Sequence, residues 1–525
     1  MTRYFFLLLV VVLAATGLPA QKRAYRAPQF AFEWGKPGLH PDHIVLNLTE
    51  DPSTSMSVTW RTSVDGLVGY AEIALATPAP KFWRNAQTLK ARTETIDMQE
   101  VPGAERVSNY HSVTFTDLEP NTLYAYRVGD GRIWSEWIQF RTAPAGESPF
   151  SFLYVGDAQN YIMELWSRLI RAGYQKAPEA GFIVHAGDLV NYAHSEQEWH
   201  EWHMAGGFIH RMLPSMATPG NHEYQYITEE QRRNRDRQLS VQWRPGFTLP
   251  DNGPDSLAET VYYVDYANTR LISLNSNQDV EDQAPWLEEV LRDNPKKWTI
   301  ITFHHPFYSA SAGRDNVWLR KAWKATFDKY QVDLVIQGHD HAYARGRTMP
   351  ADSNLIAGLN MRDEYVGTAY VVSVSGGKMY NMRDNGWEDF PEATRERGGE
   401  NTQLFQLITI DGDRLQFEAY TPTGELYDAF DLIKSQDGQP NRFVERQDDA
   451  IPVRTHAETI AYYDTLPDGV ADQLKDQYPG YEVIRVFYYD EPDFRGYQVR
   501  MMNADNARID LRLDPTGGVL EEEKR

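Results

Sequence analysis

The chain has 525 residues, enough for about three or four domains, and its 42% hydrophobic and 13% aromatic content excludes a disordered chain. Lys and Arg number 52 against 74 Asp and Glu, giving a formal charge of −22 that repels nucleic acid and anionic membranes unless charge is locally reversed. Cysteine is absent, which excludes disulfides, thiolate metal sites and a cysteine nucleophile, so any metal must be held by His, Asp, Glu, Asn or Tyr.

Residues 1–20 place Arg3 ahead of an apolar run from Tyr4 to Ala15 and end on small residues near Ala20. This is the pattern of a secretory signal peptide and predicts a secreted or periplasmic protein. The run is shorter than the ~20 residues of a spanning helix, and no later segment is apolar enough to span. Over 42–144, short strands are expected at 44–48, 55–60, 70–75, 108–116, 123–128 and 137–142, separated by turn-rich pieces. Their spacing predicts an all-β sandwich. The stretch Leu118-Glu119-Pro120-Asn121-Thr122-Leu123-Tyr124-Ala125-Tyr126-Arg127-Val128, with the closing Phe140-Arg141-Thr142-Ala143-Pro144, resembles a fibronectin type III domain.

After Pro149 the pattern changes. Apolar runs at 150–155 and 181–186 each stop at Gly-Asp, and 161–177 between them has helical spacing with Met163, Leu165, Leu169 and Ile170 apolar. That is a βαβ unit with a parallel sheet buried on both faces. Further strands are expected at 215–218, 261–265, 271–275, 298–303, 334–337, 369–375, 404–410 and 415–420, and helices at 195–212, 283–293 and 317–330. The later strands lack intervening helices, which predicts an antiparallel second sheet. The fold class over 149–433 is thus an α/β sandwich of two mixed sheets flanked by helices. A polar stretch at 434–450 reads as a linker. Over 451–525 an amphipathic helix at 470–478, the turn Pro479-Gly480 and strands at 482–489, 496–503 and 507–513 make a small α+β domain. Ending in Asp514-Pro515-Thr516-Gly517-Gly518, it resembles the PepSY-like modules of exported bacterial proteins and is a candidate for contacts with an unknown partner.

The chemistry lies where ligand-type residues follow strands. Gly156-Asp157, Gly187-Asp188, Gly220-Asn221-His222-Glu223, His304-His305 and Gly338-His339-Asp340-His341 each come directly after an apolar run. In an α/β sheet the carboxyl ends of the strands line one crevice, so these five loops should converge. Singly, each reads as an ordinary turn or a satisfied histidine; five together, carboxylates first and His-x-His last, do not. Carboxylate, amide and imidazole donors suit Zn, Fe or Mn. Two such ions about 3.5–4 Å apart, sharing one carboxylate, would place a hydroxide in line with phosphorus.

This order of motifs resembles the calcineurin-like metallophosphoesterases, and the preceding β-domain with Gly338-His339-Asp340-His341-Ala342-Tyr343-Ala344-Arg345 narrows the resemblance to the purple acid phosphatases, over about 42–431. The resemblance implies a dinuclear phosphoester hydrolase acting on a small phosphate ester. It assigns Asp157 and His341 to the first of two metal ions, Asp188 to a bridge, Asn221, His304 and His339 to the second ion, and His222 to protonation of the leaving group. In the purple enzymes a tyrosine stands three residues after the bridging aspartate; here Asn191 does, with Tyr192 one place later. Gln159 stands where those enzymes have glycine, so Gln159, Asn191, Tyr192 or water completes the first site. His305, Tyr308, Arg314, Tyr343 and Arg345 are candidate substrate contacts, Arg314 as a bidentate phosphate ligand. A phosphodiesterase of nucleotides or phospholipids, or a binding and adhesion protein with a vestigial metal site, are the rival readings.

Overall fold

The computed structural model describes residues 34–97, 101, 106–311, 313–350, 365–383, 385–435, 439–446, 462–463, 466–467, 469–490, 494–505 and 507–524. The expected signal peptide at 1–20 lies outside them. The described residues fall into two compact units, one within 30–460 and one beginning at 461. None of their helices is long and apolar enough to cross a membrane.

In the first unit the apolar run Phe150–Val155 pairs in parallel with Ile183–His185, which pairs in parallel with Ser215–Ala217. The crossover is a π-helical turn, Ile162–Trp166, running into the helix Ser167–Lys176, whose buried stripe includes Leu169 and Ile170. Phe405–Asp411, Arg414–Tyr420, Leu426–Ile433 and Asn441–Glu445 continue the same sheet antiparallel. The second sheet has the order Tyr262–Tyr266, Thr269–Ser273, Trp298–Thr302, Leu334–Gln337, Ala369–Val372, Tyr343–Thr348, Ala393–Gly399. Its four central strands, from Thr269–Ser273 to Ala369–Val372, are parallel. The antiparallel second sheet expected from sequence is therefore corrected. The helices Ala284–Arg292 and Ala325–Lys329 supply its crossovers, and the helix-free strands at 405–411 and 414–420 close the first sheet instead. Two of the expected helices are interrupted. The one at 195–212 breaks at Gly207, with φ +51, into Glu196–Gly206 and Phe208–Met212, and the one at 317–330 carries a π-helical turn at Arg320–Lys324.

The boundary expected near 144–149 is not a boundary between sheets. Strand Asp42–Asn47 pairs in parallel with Ser215–Ala217 through Asn47 and Ser215, so the first sheet runs on through Met56–Ser63, Val107–Phe115 and Arg92–Asp97 to twelve strands. A four-stranded sheet, Gln87–Lys90, Tyr70–Leu75, Leu123–Gly129 and Ile138–Arg141, completes the β-sandwich. Trp60, Phe115, Tyr126 and Phe140 are buried in it, within one core cluster that also holds Phe152 and Val184 of the α/β region.

The linker reading of 434–450 is corrected over 441–445, while 436–438 and 447–450 lie outside the described residues. Asn441–Glu445 is a strand paired with Leu426–Ile433 and Tyr365–Val366, and its Phe443 is buried. A polar composition here marks a strand next to the sheet's edge that closes a buried ion network. Arg345, fully buried, donates from Nε and Nη2 to Asp428 at 2.9 and 2.8 Å, from Nη1 to Glu396 at 2.7 Å and from Nη2 to Glu445 at 2.9 Å. Tyr343 donates its hydroxyl to Asp428 at 2.7 Å.

The C-terminal unit packs Val470–Gln477 on the sheet Tyr462–Tyr463, Tyr481–Asp490, Arg495–Asn503, Arg508–Leu513, Val519–Lys524, burying Val470, Leu474, Val499, Met501 and Leu511. The last strand is not in the sequence expectation because it is Glu-rich and exposed. Its charge suits an edge that must not recruit another chain.

Removing one partner of a buried pair strands the other charge. Asp428→Ala should lower unfolding stability by about 3–5 kcal/mol, read as a fall in the denaturant midpoint; a loss below about 1 kcal/mol would match an exposed pair and contradict the network's role.

Candidate metal centre

The five motif loops converge and are bonded to one another. Asp157 N–H donates to the Gly187 carbonyl at 3.0 Å, Gln159 N–H to the Asp188 carbonyl at 3.1 Å and Gly338 N–H to the His304 carbonyl at 3.1 Å. Close approach dictates two of the glycines: a Cβ at Gly220 would overlap the Asp188 carboxylate, and one at Gly338 would overlap that of Asp157. Asp157, Asp188, His339 and His341 all have positive φ, between 45° and 76°. Non-glycine residues hold that conformation at a cost of order 1–3 kcal/mol each, so the surrounding bonds must impose it.

The result is two groups of ligand atoms, each within 4.8 Å of one another: Asp188, His304 and His339, and Asp157, Asp188 and His341. Asp188 belongs to both. His304 donates Nδ1–H to the Ala186 carbonyl at 2.9 Å, and its Nε2 faces Asp188 Oδ2 at 3.1 Å, Asn221 Oδ1 at 3.3 Å and His339 Nδ1 at 3.2 Å. His341 donates Nδ1–H to the Lys378 carbonyl at 2.8 Å and points Nε2 at Asp157 Oδ1, 3.5 Å away. A backbone carbonyl thus fixes each tautomer so that a lone pair faces inward, as a metal ligand requires. Gln159, fully buried, lies inside the cluster. Its amide donates to Asp188 Oδ2 at 2.7 Å and lies 3.0 Å from His341 Nε2, while its Oε1 has no partner among the described residues.

The electrostatics favour cations. Asp157 and Asp188 are 0% and 1% exposed, and two carboxylates at that depth are tolerable only with positive charge beside them. Burial drives Asp157 well above the usual carboxylate range, whereas in Asp188 burial is outweighed by the His304 and His222 imidazoles, which hold it well below. Against its own burial, His304 is raised to about 9 by Asp188 and Asp157. Anionic oxygens, an orphaned amide oxygen and inward lone pairs together fit a pair of divalent ions.

Glu223 does work that sequence analysis does not assign. Its buried carboxylate accepts from the N–H groups of Asp188 at 2.9 Å, Leu189 at 2.8 Å, Val190 at 3.3 Å and Gly220 at 2.6 Å, tying two motif loops together. Burial and the neighbouring Asp188 push it up to about 7, and these donors favour its charged form. Glu198 does the same for the N–H groups of Asn191 and Tyr192, at 2.7 and 2.8 Å. A carboxylate three residues into a helix whose N-cap, Ser195, accepts from Glu198 N–H is the signal that could have identified it.

The comparisons with known proteins bear directly on this site. Residues 41–142 match the purple acid phosphatase N-terminal domain and 150–343 match the calcineurin-like phosphoesterases. The chain thus carries a purple acid phosphatase N-terminal domain followed by a calcineurin-like phosphoesterase domain. An uncharacterized protein of Mycobacterium tuberculosis is 27% identical over 403 residues, covering 67% of this chain and 72% of that one. The Fe(3+)-Zn(2+) purple acid phosphatase 12 of Arabidopsis thaliana is 28% identical over 270 residues, 47% of this chain and 55% of that one. A purple acid phosphatase from yellow lupin seeds shares the fold, with a TM-score of 0.63 at 19% identity over 76% of this chain and 75% of that one.

The remaining candidate residues of this metallophosphoesterase divide. His222 joins the centre: its N–H donates to Asp188 Oδ1 at 2.9 Å, its Nδ1 donates to the Asn191 carbonyl at 2.7 Å, and its Nε2 lies 4.0 Å from Asp188 Oδ2. His305 flanks it, its ring 4.2 Å from that of His339 and its Nδ1 2.9 Å from Ser276 Oγ. Arg314 also flanks it, donating to the His339 carbonyl at 3.1 Å. Tyr308, Tyr343 and Arg345, expected as substrate contacts, are not brought to the centre. Tyr308 is buried against Tyr370, Trp387 and Phe390, and Tyr343 and Arg345 are committed to Asp428. Gly338–His341 is a loop, and the strand that begins beyond it, Tyr343–Thr348, carries Tyr343 and Arg345 away to Asp428. A third group, Asp42, His43 and His200, has ligand-like spacing. Arg61 takes the Asp42 carboxylate with two 2.8 Å bonds, and His43 Nε2 meets His200 Nδ1 at 2.9 Å, making a hydrogen-bonded hub with a cation already in place.

Asn191 and Tyr192 meet the centre through their backbone. Asn191 lends its carbonyl to His222, and neither side chain has a bond to a candidate ligand among the described residues. Tyrosinate on ferric iron is what colours the resembled enzymes, so the metal-loaded protein should be colourless and Tyr192→Phe should leave its absorption spectrum unchanged. An intense visible band that disappears in Tyr192→Phe would contradict this.

Proposed function

We propose that this metallophosphoesterase is an exported phosphomonoesterase, with Asp157 and His341 holding one ion, Asn221, His304 and His339 the other, and Asp188 shared by both. The observation that carries the reading is the membership of Asp188 in both ligand groups. Export is supported by the charge and apolar pattern of residues 1–20. Action on monoesters is supported by the names of the relatives, which include purple acid phosphatases of Arabidopsis and lupin.

When bound, two such ions supply a water acidic enough to act as nucleophile and neutralise charge gathering on the phosphoryl oxygens. The chain's own residues do the rest. Asp188, fixed by Glu223 through the backbone, sets the spacing of the two half-sites. Gln159 donates to the same carboxylate, limiting its rotation. His222 has its Nδ1 proton committed to the Asn191 carbonyl, so Nε2 is the atom free to hand a proton to the departing oxygen. Burial lowers the His222 pKa, with Asp188 opposing, and cations beside it would act in the same direction as burial. The protonated form is then populated on the acid side of the ordinary histidine range, so turnover should fall as pH rises toward neutrality.

The test compares esters with good and poor leaving groups in the metal-loaded protein. His222→Ala should cost ~10²–10⁴ in turnover for an alkyl phosphate and much less for 4-nitrophenyl phosphate, with both ions retained. An equal loss on both esters would remove His222 as proton donor. A wild-type preference for bis(4-nitrophenyl) phosphate over the monoester would replace the monoesterase by a diesterase.

A further inference from the structure

A sixth loop reaches the same centre, and sequence analysis does not single it out. It follows the central parallel strand Ala369–Val372 of the second sheet and reads Ser375-Gly376-Gly377-Lys378-Met379-Tyr380. Its backbone is tied to the metal loops. Ser375 N–H donates to the Gly156 carbonyl at 2.8 Å, Gly376 N–H to the Asp157 carbonyl at 2.9 Å and Tyr380 N–H to the His341 carbonyl at 3.0 Å, while the Lys378 carbonyl receives His341 Nδ1–H. These bonds place a half-buried tyrosine ring 4.7 Å from the His341 ring. Two cations lie over that same ring, the Lys378 ammonium 5.4 Å and the Arg314 guanidinium 4.7 Å from its centre.

Like charges gathered on one ring repel unless an anion joins them. Arg314 has Asp340 Oδ1 at 3.5 Å; Lys378 makes no ion pair among the described residues. Its carbonyl receives His341 Nδ1–H and its ammonium lies over the Tyr380 ring, so the charge stands beside the metal loops. On a chain of formal charge −22, this is the local reversal that an anionic substrate needs.

We propose that Lys378, with Arg314 as its partner on the Tyr380 ring, is the phosphate-binding contact that selects a dianionic monoester over a monoanionic diester. This rests on the phosphoester reading above. Lys378 acts on charge and not on the nucleophile: a second negative charge on the substrate strengthens its contact, while a diester's extra substituent replaces that charge and occupies its space.

The test uses full-length, metal-loaded wild type, Lys378→Met, which keeps the stem and removes the charge, and Lys378→Arg. Binding of inorganic phosphate is measured by calorimetry, alongside kcat and KM for 4-nitrophenyl phosphate and its bis-ester. Lys378→Met should weaken phosphate binding by about tenfold to a hundredfold, the worth of one charge-assisted contact. It should raise KM for the monoester and lower the monoester-to-diester ratio of kcat/KM, with two ions per chain still bound; Lys378→Arg should restore most of each. Unchanged phosphate affinity, an equal fall for both esters, or loss of an ion in Lys378→Met would overturn the proposal. Wild-type protein that binds phosphate through Lys378 but turns over neither ester would instead overturn the hydrolase reading and leave this contact standing.

Discussion

Two buried carboxylates facing the same small volume govern this molecule. Asp157 and Asp188 are desolvated on loops from adjacent parallel strands, and their mutual repulsion is opposed by the ring of His304, raised to about 9 by that proximity. Water does not screen charges at that depth. Every surrounding feature then has a physical reason: imidazoles whose outer nitrogens are spent on carbonyls, an amide inserted at Gln159, and a donor set that fits two divalent ions.

Such a cluster holds only if the backbone cannot relax away from it. Parallel strands deliver the loops to one edge, and loop-to-loop hydrogen bonds hold positive φ at Asp157, Asp188, His339 and His341. Glu223 replaces scattered solvent contacts with one carboxylate serving four N–H groups. The β-sandwich at the N-terminal side adds to this rigidity, because strand Asp42–Asn47 extends the sheet beyond Ser215–Ala217, the strand that feeds Asn221 and His222.

Much of this was legible in the residues. Apolar runs that stop at Gly-Asp mark buried parallel strands, and their periodicity located 150–155 and the helix at 161–177 closely. Motif order gave the loops, the resemblance to the purple acid phosphatases gave the six candidate ligands, and the geometry brings them near one another. Less legible was anything decided by partners distant in sequence. Which sheet receives the strands at 405–411 and 414–420 depends on pairing with Phe150–Val155, not on their own composition. The polar segment at 441–445 looks like a linker because its charges serve Arg345, about a hundred residues away. Tyr343 and Arg345 looked like substrate contacts by proximity to His341, yet the chain leaves the motif loop there and the strand Tyr343–Thr348 commits both side chains to Asp428, some eighty residues away in sequence. Lys378 carried no motif at all; only the fold brings its carbonyl to His341.

The central claim is that Asp188 is shared between two ions, and anomalous diffraction from crystals of the metal-loaded protein tests it most directly. The account predicts two peaks about 3.5–4 Å apart, one beside Asp157 and His341, the other beside Asn221, His304 and His339, with the Asp188 carboxylate touching both. A single peak, or two peaks of which only one contacts Asp188, would contradict it.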